Sequence, residues 1–217
     1  MNLLYKRGVN TIFQLMLVHA AVLFFMSISP AYASDLIADV RARVSNTQIL
    51  RGQFEQQKTV AGFKKPLVSN GEFLLSKSRG IIWRTNKPFS STLIIGNHKL
   101  TGRQSDGSET FQFDTEREPA LRLINELMLA LVAGDLATLQ RHFKVEGELI
   151  GRNEWKLRLT STDANLTNIF KDVTIEGDRY VRIVKMEEIN GDNTLIRFEK
   201  LTEAPALSVD EEKNLAR

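Results

Sequence analysis

Few side chains in this sequence could move a proton or hold a metal. His98 and His142 are the only histidines outside an N-terminal apolar stretch, and the chain has no cysteine, so no paired ligands stand at metal-site spacing. Glu187 and Glu188 are the most conspicuous carboxylate pair, yet neighbours on a strand point to opposite faces and cannot converge on one substrate. Neither a phosphate-cradling glycine loop nor a nucleophile elbow is found. The expectation is a non-enzyme with no catalytic residue, metal or cofactor. What the residues do offer is water exclusion. Phe54, Phe73, Leu75, Ile81, Trp83, Leu93, Ile95, Phe111 and Phe113 stand in segments of alternating polarity, and Leu121, Ile124 and Leu127 in an apolar one. Singly each reads as an ordinary core position; as a set they are expected to wall a cavity. There each buried methylene of a guest hydrocarbon would contribute about 0.8 kcal/mol.

The elements that must position this wall begin after a leader. Lys6 and Arg7 precede an apolar run from Ile12 to Ile28, and Ala31-Tyr32-Ala33 supplies a small-x-small cleavage pattern, so residues 1–33 read as a cleaved signal peptide. A membrane anchor is the competing reading, and Pro30 with the Ala-Tyr-Ala site interrupts the chain where a spanning helix would have to continue. No cysteine marks a lipid attachment point. Removing Lys6 and Arg7 from 29 basic residues leaves 27 against 26 acidic ones, a balance that gives no electrostatic argument for nucleic acid. The mature chain is long enough for one domain, expected over residues 34–202, with a polar, loosely attached tail over 203–217.

Leu36, Ile37, Val40 and Val44 recur at helical spacing, which predicts a short opening helix. From Ile49 the period changes to two, and strands are predicted over 49–57, 72–77, 80–85, 91–95, 99–103 and 109–113. Turn chemistry separates them at Asn70-Gly71, Ser78-Arg79-Gly80, Asn86-Lys87-Pro88 and Gly96-Asn97. Pro119 then opens a helix over 120–133 that is apolar on most of its circumference and ends at Gly134, and Asp135 caps a second helix over 136–142. A helix of that kind must be covered on nearly every side or must face an apolar cavity. Five further strands follow, between turns at Gly151-Arg152-Asn153, Gly177-Asp178 and Asn190-Gly191-Asp192. Short strands with tight connections pair antiparallel, with one dry face and one wet face.

The residues around Gly71 make this order specific. Phe54-Glu55-Gln56, Gly71-Glu72-Phe73-Leu74-Leu75, Ile81-Ile82-Trp83, Pro88 and Leu93-Ile94-Ile95-Gly96, followed by Gly191-Asp192-Asn193-Thr194 and Ile196-Arg197-Phe198, resemble the periplasmic outer-membrane lipoprotein carriers. The resemblance covers nearly all of the mature chain. It implies a mainly β fold with some α: an incomplete, strongly curved antiparallel half-barrel, with an N-terminal helix and a two-helix lid over an apolar cavity. It also implies a periplasmic carrier or chaperone that shields acyl chains of lipoproteins or other acylated lipids. The cargo would come from an inner-membrane donor complex and pass to an outer-membrane acceptor, and the carrier is expected to be monomeric. The family's lid arginine falls at Lys77 here, with Arg79 two places on, so these two are the candidate latch. Lysine lacks the five-donor fork of arginine, and the family's proline-glycine-valine close is replaced by Ala204-Pro205-Ala206-Leu207; both departures point to a divergent member. The competing class is a sensor or interaction module that uses the same barrel to bind a protein partner or a lipid signal.

Overall fold

A computed structural model describes residues 36–215; the segment read as a signal peptide, residues 1–33, lies outside the described residues. Helix α1 (Leu36–Arg43) is followed by strands β1 (Ile49–Thr59), β2 (Leu67–Ser76), β3 (Gly80–Lys87), β4 (Ser91–Gly96), β5 (Lys99–Gln104) and β6 (Glu109–Asp114). Helices α2 (Pro119–Ala133) and α3 (Leu136–His142) interrupt the strands. The chain continues with β7 (Phe143–Ile150), β8 (Glu154–Ser161), the single turn α4 (Ala164–Thr167), β9 (Phe170–Gly177), β10 (Val181–Glu188), β11 (Asn193–Glu203) and α5 (Val209–Leu215).

All eleven strands form one antiparallel sheet in the order β6-β5-β4-β3-β2-β1-β11-β10-β9-β8-β7. Each half of the chain is a meander, and the halves are joined where β1 pairs with β11, Phe54 lying opposite Phe198. The edges β6 and β7 do not pair with each other, so the sheet is an incomplete curved barrel, as expected. One face packs with the helices around a core that runs through both halves, from Ile81 and Leu75 to Trp155, Leu157, Ile175 and Leu139. Alternation along the strands puts the ion pairs Lys185–Glu176 and Arg158–Asp172 on the other face of the second half.

Two expectations are corrected. Asn70-Gly71 is not a turn: β2 begins at Leu67, and Asn70 and Gly71 lie within it, opposite Lys87 and Thr85. A Cβ on Gly71 would lie 1.8 Å from the Arg84 carbonyl oxygen, so glycine is required there by a close backbone approach beside an irregularity in the β2–β3 register. The tail is not loosely attached. Ala204 donates its amide to the Ile49 carbonyl at 3.0 Å, and α5 folds back across the outer face, where Leu215 is buried with Ile49, Leu74, Ile82 and Ile94. Arg51 forms a two-pronged ion pair with Glu211 at 3.1 and 2.6 Å, and Arg103 donates to Asn214 at 2.8 Å.

Candidate functional site

Pairing register brings the strand candidates together. One cross-strand row reads Gly52, Phe73, Trp83, Leu93, Gly102, Phe111, and the next reads Leu50, Leu75, Ile81, Ile95, Leu100, Phe113. These two ladders lie on the inner face and contain every strand candidate but Phe54, which stands on the same face opposite Gly71. From β2 to β6 are four interstrand steps of about 4.8 Å, a run of about 19 Å, against about 15 Å for the hydrocarbon depth of one bilayer leaflet. Burial falls along both rows toward the open edge. Phe73, Leu75, Ile81, Trp83 and Ile95 are buried, Leu93 and Leu100 half-buried, and Phe111 and Phe113 are 37% and 44% exposed. The two phenylalanines stack on each other with centroids 5.3 Å apart. The Phe111 ring covers Gly102, where a Cβ would meet it at 2.3 Å.

At the other end of the rows Phe54 stacks on Trp83 at 3.9 Å, and Phe198 approaches Phe73 and Trp83 edge-on at 5.1 and 6.0 Å. This cluster is packed aromatic core, with the geometry that aromatic pairs favour.

Helix α2 lies over this face. Its N-terminus has Pro at the first position, its C-terminus closes with Gly134 in the left-handed region at φ 65°, and Asp135 caps α3 by accepting from the amides of Ala137 and Thr138. Leu127 joins the core, Leu121 is half-buried, and Ile124 is exposed. The helix reaches from the β4–β5 turn, where the buried Asn125 Nδ2 donates to the Gly96 carbonyl at 2.8 Å, to Gly134 beside Val44 and Val181. Asn125 Oδ1 is buried without a hydrogen-bond partner among the described residues. Glu126 pairs with Arg141 and so ties α2 to α3.

An open cavity of about 830 Å³ lies where α1, α2, α3 and the end of β2 meet. Leu75, Leu129, Ala133 and Leu136 give it an apolar side, and Lys77 with Asp135 a charged one. Of the sequence candidates only Leu75 and Lys77 line it. Lys77 Nζ donates to the Ser45 carbonyl at 3.4 Å and to Asn46 Oδ1 at 3.3 Å. The residue is exposed over much of its stem, but partial burial of the ammonium holds its pKa below the usual lysine value, opposed by the field of Asp135. Lys77 therefore ties the α1–β1 loop, while Arg79 is exposed on the β2–β3 turn. The side chain that bonds the lid helix to the sheet, Asn125, escaped the sequence reading, although an amide inside a nearly all-apolar helix was the available signal. Leu100 and Phe198 were also missed as wall residues, because only strand pairing aligns them with the other candidates.

The remaining candidates do not converge. His98 pairs with Glu116 at 2.8 Å, and His142 stands 3.9 Å from both Glu126 and Asp163. No three metal-ligating side chains come together among the described residues, and none of the described helices is long and apolar enough to cross a membrane.

A family model described as outer membrane lipoprotein carrier protein LolA-like matches residues 29–209. The chain belongs to this LolA-like family. Solved structures with a similar fold include a LolA superfamily protein from Nitrosomonas europaea, at 10% identity and TM-score 0.45 over 81% of this chain and 94% of that one. A putative outer membrane lipoprotein-sorting protein domain from Vibrio parahaemolyticus aligns at 11% identity and TM-score 0.43, over 84% and 97% of the two chains. The MucA/MucB complex from Pseudomonas aeruginosa contains another, at 13% identity and TM-score 0.46, over 80% and 59%. No curated protein matches the LolA-like chain at a significant level.

Proposed function

We propose that this LolA-like protein is a non-enzymatic periplasmic carrier that shields acyl chains of lipoproteins or other acylated lipids on their way from the inner to the outer membrane. The observation that carries the reading is the pair of apolar ladders, which cross the inner face and end at the part-exposed Phe111 and Phe113 on the unpaired edge strand β6. A hydrocarbon laid along them exchanges water for aliphatic and aromatic side chains. Because a bilayer offers it nearly the same surroundings, net transfer requires a slot that opens at low cost. Helix α2 has the placement of the lid, held to the sheet by the Asn125 amide and to α3 by Glu126. The proposed outer latch is Lys77, which bonds the α1–β1 loop, with Arg79 exposed on the neighbouring β2–β3 turn. The implied partners are the acylated cargo, a donor complex and an acceptor, each meeting a monomer.

The test is uptake of a fluorescent fatty-acyl probe by delipidated protein, together with mass spectrometry of acylated molecules that co-purify with it. Uptake that falls in Phe111→Ser/Phe113→Ser, with the thermal transition unchanged, is expected. No uptake and no co-purified acyl group would end the reading.

A further inference from the structure

The end of the sheet opposite the α1–α2 cavity carries a second apolar surface. The β1–β2 loop and the β3–β4 turn both leave the sheet there, from the neighbouring strands β2 and β3. They present Phe63 and Phe89 at 67% and 83% exposure, Leu67 at the start of β2 is 60% exposed, and Ile189 is exposed on the adjacent β10–β11 turn. Lysines flank each phenylalanine in sequence, as Phe63-Lys64-Lys65-Pro66 and Lys87-Pro88-Phe89. Lys64, Lys65 and Lys87 are exposed, and among the described residues none is paired with a carboxylate.

The acids of the same end are already engaged. Glu188 and Asp192 share Lys58 at 2.9 and 3.4 Å, and Asp106 on the β5–β6 turn keeps its charge while accepting from the Ser108 amide and hydroxyl, so these acids offset part of the lysine charge. The rim is also held in place, since the Ala61 amide donates to Asp192 Oδ1 at 2.9 Å and a Cβ on Gly191 would rest 3.6 Å from that of Ala61. Aromatic side chains projecting from the rim, each beside unpaired lysines, match the ordering of a bilayer surface, with apolar matter below and anionic head groups above.

We propose that this rim docks the protein on the surface of an anionic lipid bilayer. A protein partner is the weaker fit: the phenylalanines stand on separate projecting loops, and the charges that flank them in sequence are all of one sign. The surface lies away from Asn125 and the helix-lined cavity, so the inference stands apart from the acyl-shielding reading.

Co-sedimentation of the mature chain with vesicles tests it. Binding to vesicles of phosphatidylglycerol mixed with phosphatidylethanolamine is expected to exceed binding to phosphatidylcholine vesicles by at least about tenfold and to weaken with salt. Phe63→Ser/Phe89→Ser and Lys64→Gln/Lys65→Gln/Lys87→Gln should each lower it by about tenfold or more, a lysine near such a surface being worth about fivefold. Circular dichroism and vesicle-free acyl-probe uptake should stay as in the parent. Absence of vesicle binding, or binding that both variants retain, would overturn the proposal. So would binding to native bacterial membranes that is lost on vesicles of their extracted lipids, which would assign the rim to a membrane protein. Vesicle binding by a chain that takes up no acyl probe would uphold docking while ending the carrier reading.

Discussion

Asn125 sets the position of α2, because it is the side chain through which that helix bonds the sheet. One hydrogen bond contributes about 0.5–1.5 kcal/mol net, so Asn125→Ala is expected to speed acyl-probe release by about three- to tenfold with little change in the melting temperature. Stopped-flow release decides it, and an unchanged rate would remove the amide from the lid. Lys77→Ala serves as the comparison, and its effect should be smaller because its bonds of 3.3 and 3.4 Å reach the α1–β1 loop instead. The two ends of the first ladder should also behave differently. Trp83 is buried against Phe54, so Trp83→Ala should cost about 3–5 kcal/mol of stability by denaturant titration. The half-exposed Phe111 should lose uptake with less than about 1 kcal/mol of stability.

At the scale of elements, α5 is too short to persist alone and is held by Leu215 and by the Arg51–Glu211 pair. The Arg51 guanidinium, with help from the Ser208 amide and hydroxyl, holds the Glu211 carboxyl well below its ordinary value, at about 2. A carboxyl depressed by folding stabilises fully above its unfolded pKa, about 4.5. That contribution fades as pH falls toward about 2. Glu211→Gln is therefore expected to lower stability by about 1–2 kcal/mol at neutral pH, a figure discounted because Arg51 is partly exposed. The difference from the parent should be mostly lost by about pH 2 in denaturant titrations and vanish below it. Elements with a clear period were legible in the sequence. The alternation from Ile49 and the apolar run before Gly134 gave β1 and α2 to within a residue or two, and also indicated which side chains share the inner face. What escaped depended on partners distant in the chain. Asn70-Gly71 has the composition of a turn and becomes strand because β1 and β3 flank it. Residues 203–217 are mostly polar, and Leu215, with Ala204 and Leu207, finds a dry patch that exists only after β2, β3 and β4 have paired. The cavity behind the helices follows from how three helices meet, which no local pattern encodes.

For the molecule as a whole, the β1–β11 seam and the core that runs through both halves make the two meanders one cooperative unit. Trp83 lies in the first half and Trp155 in the second, both buried, so each half carries its own fluorescent reporter. Trp83→Phe and Trp155→Phe leave one reporter apiece, and each variant should show a single denaturant transition that coincides with its own far-ultraviolet circular dichroism. A fluorescence midpoint that departs from the dichroism would mean that the halves melt separately. The unpaired edges β6 and β7 carry a further consequence. In a closed barrel, strand number and stagger dictate the bore, so a guest of the wrong girth is simply refused. Here β6 and β7 leave the circumference open, so no closure rule of that kind sets the bore. Under the proposed carrier reading, guests of different girth would meet a wall whose radius is not dictated by closure.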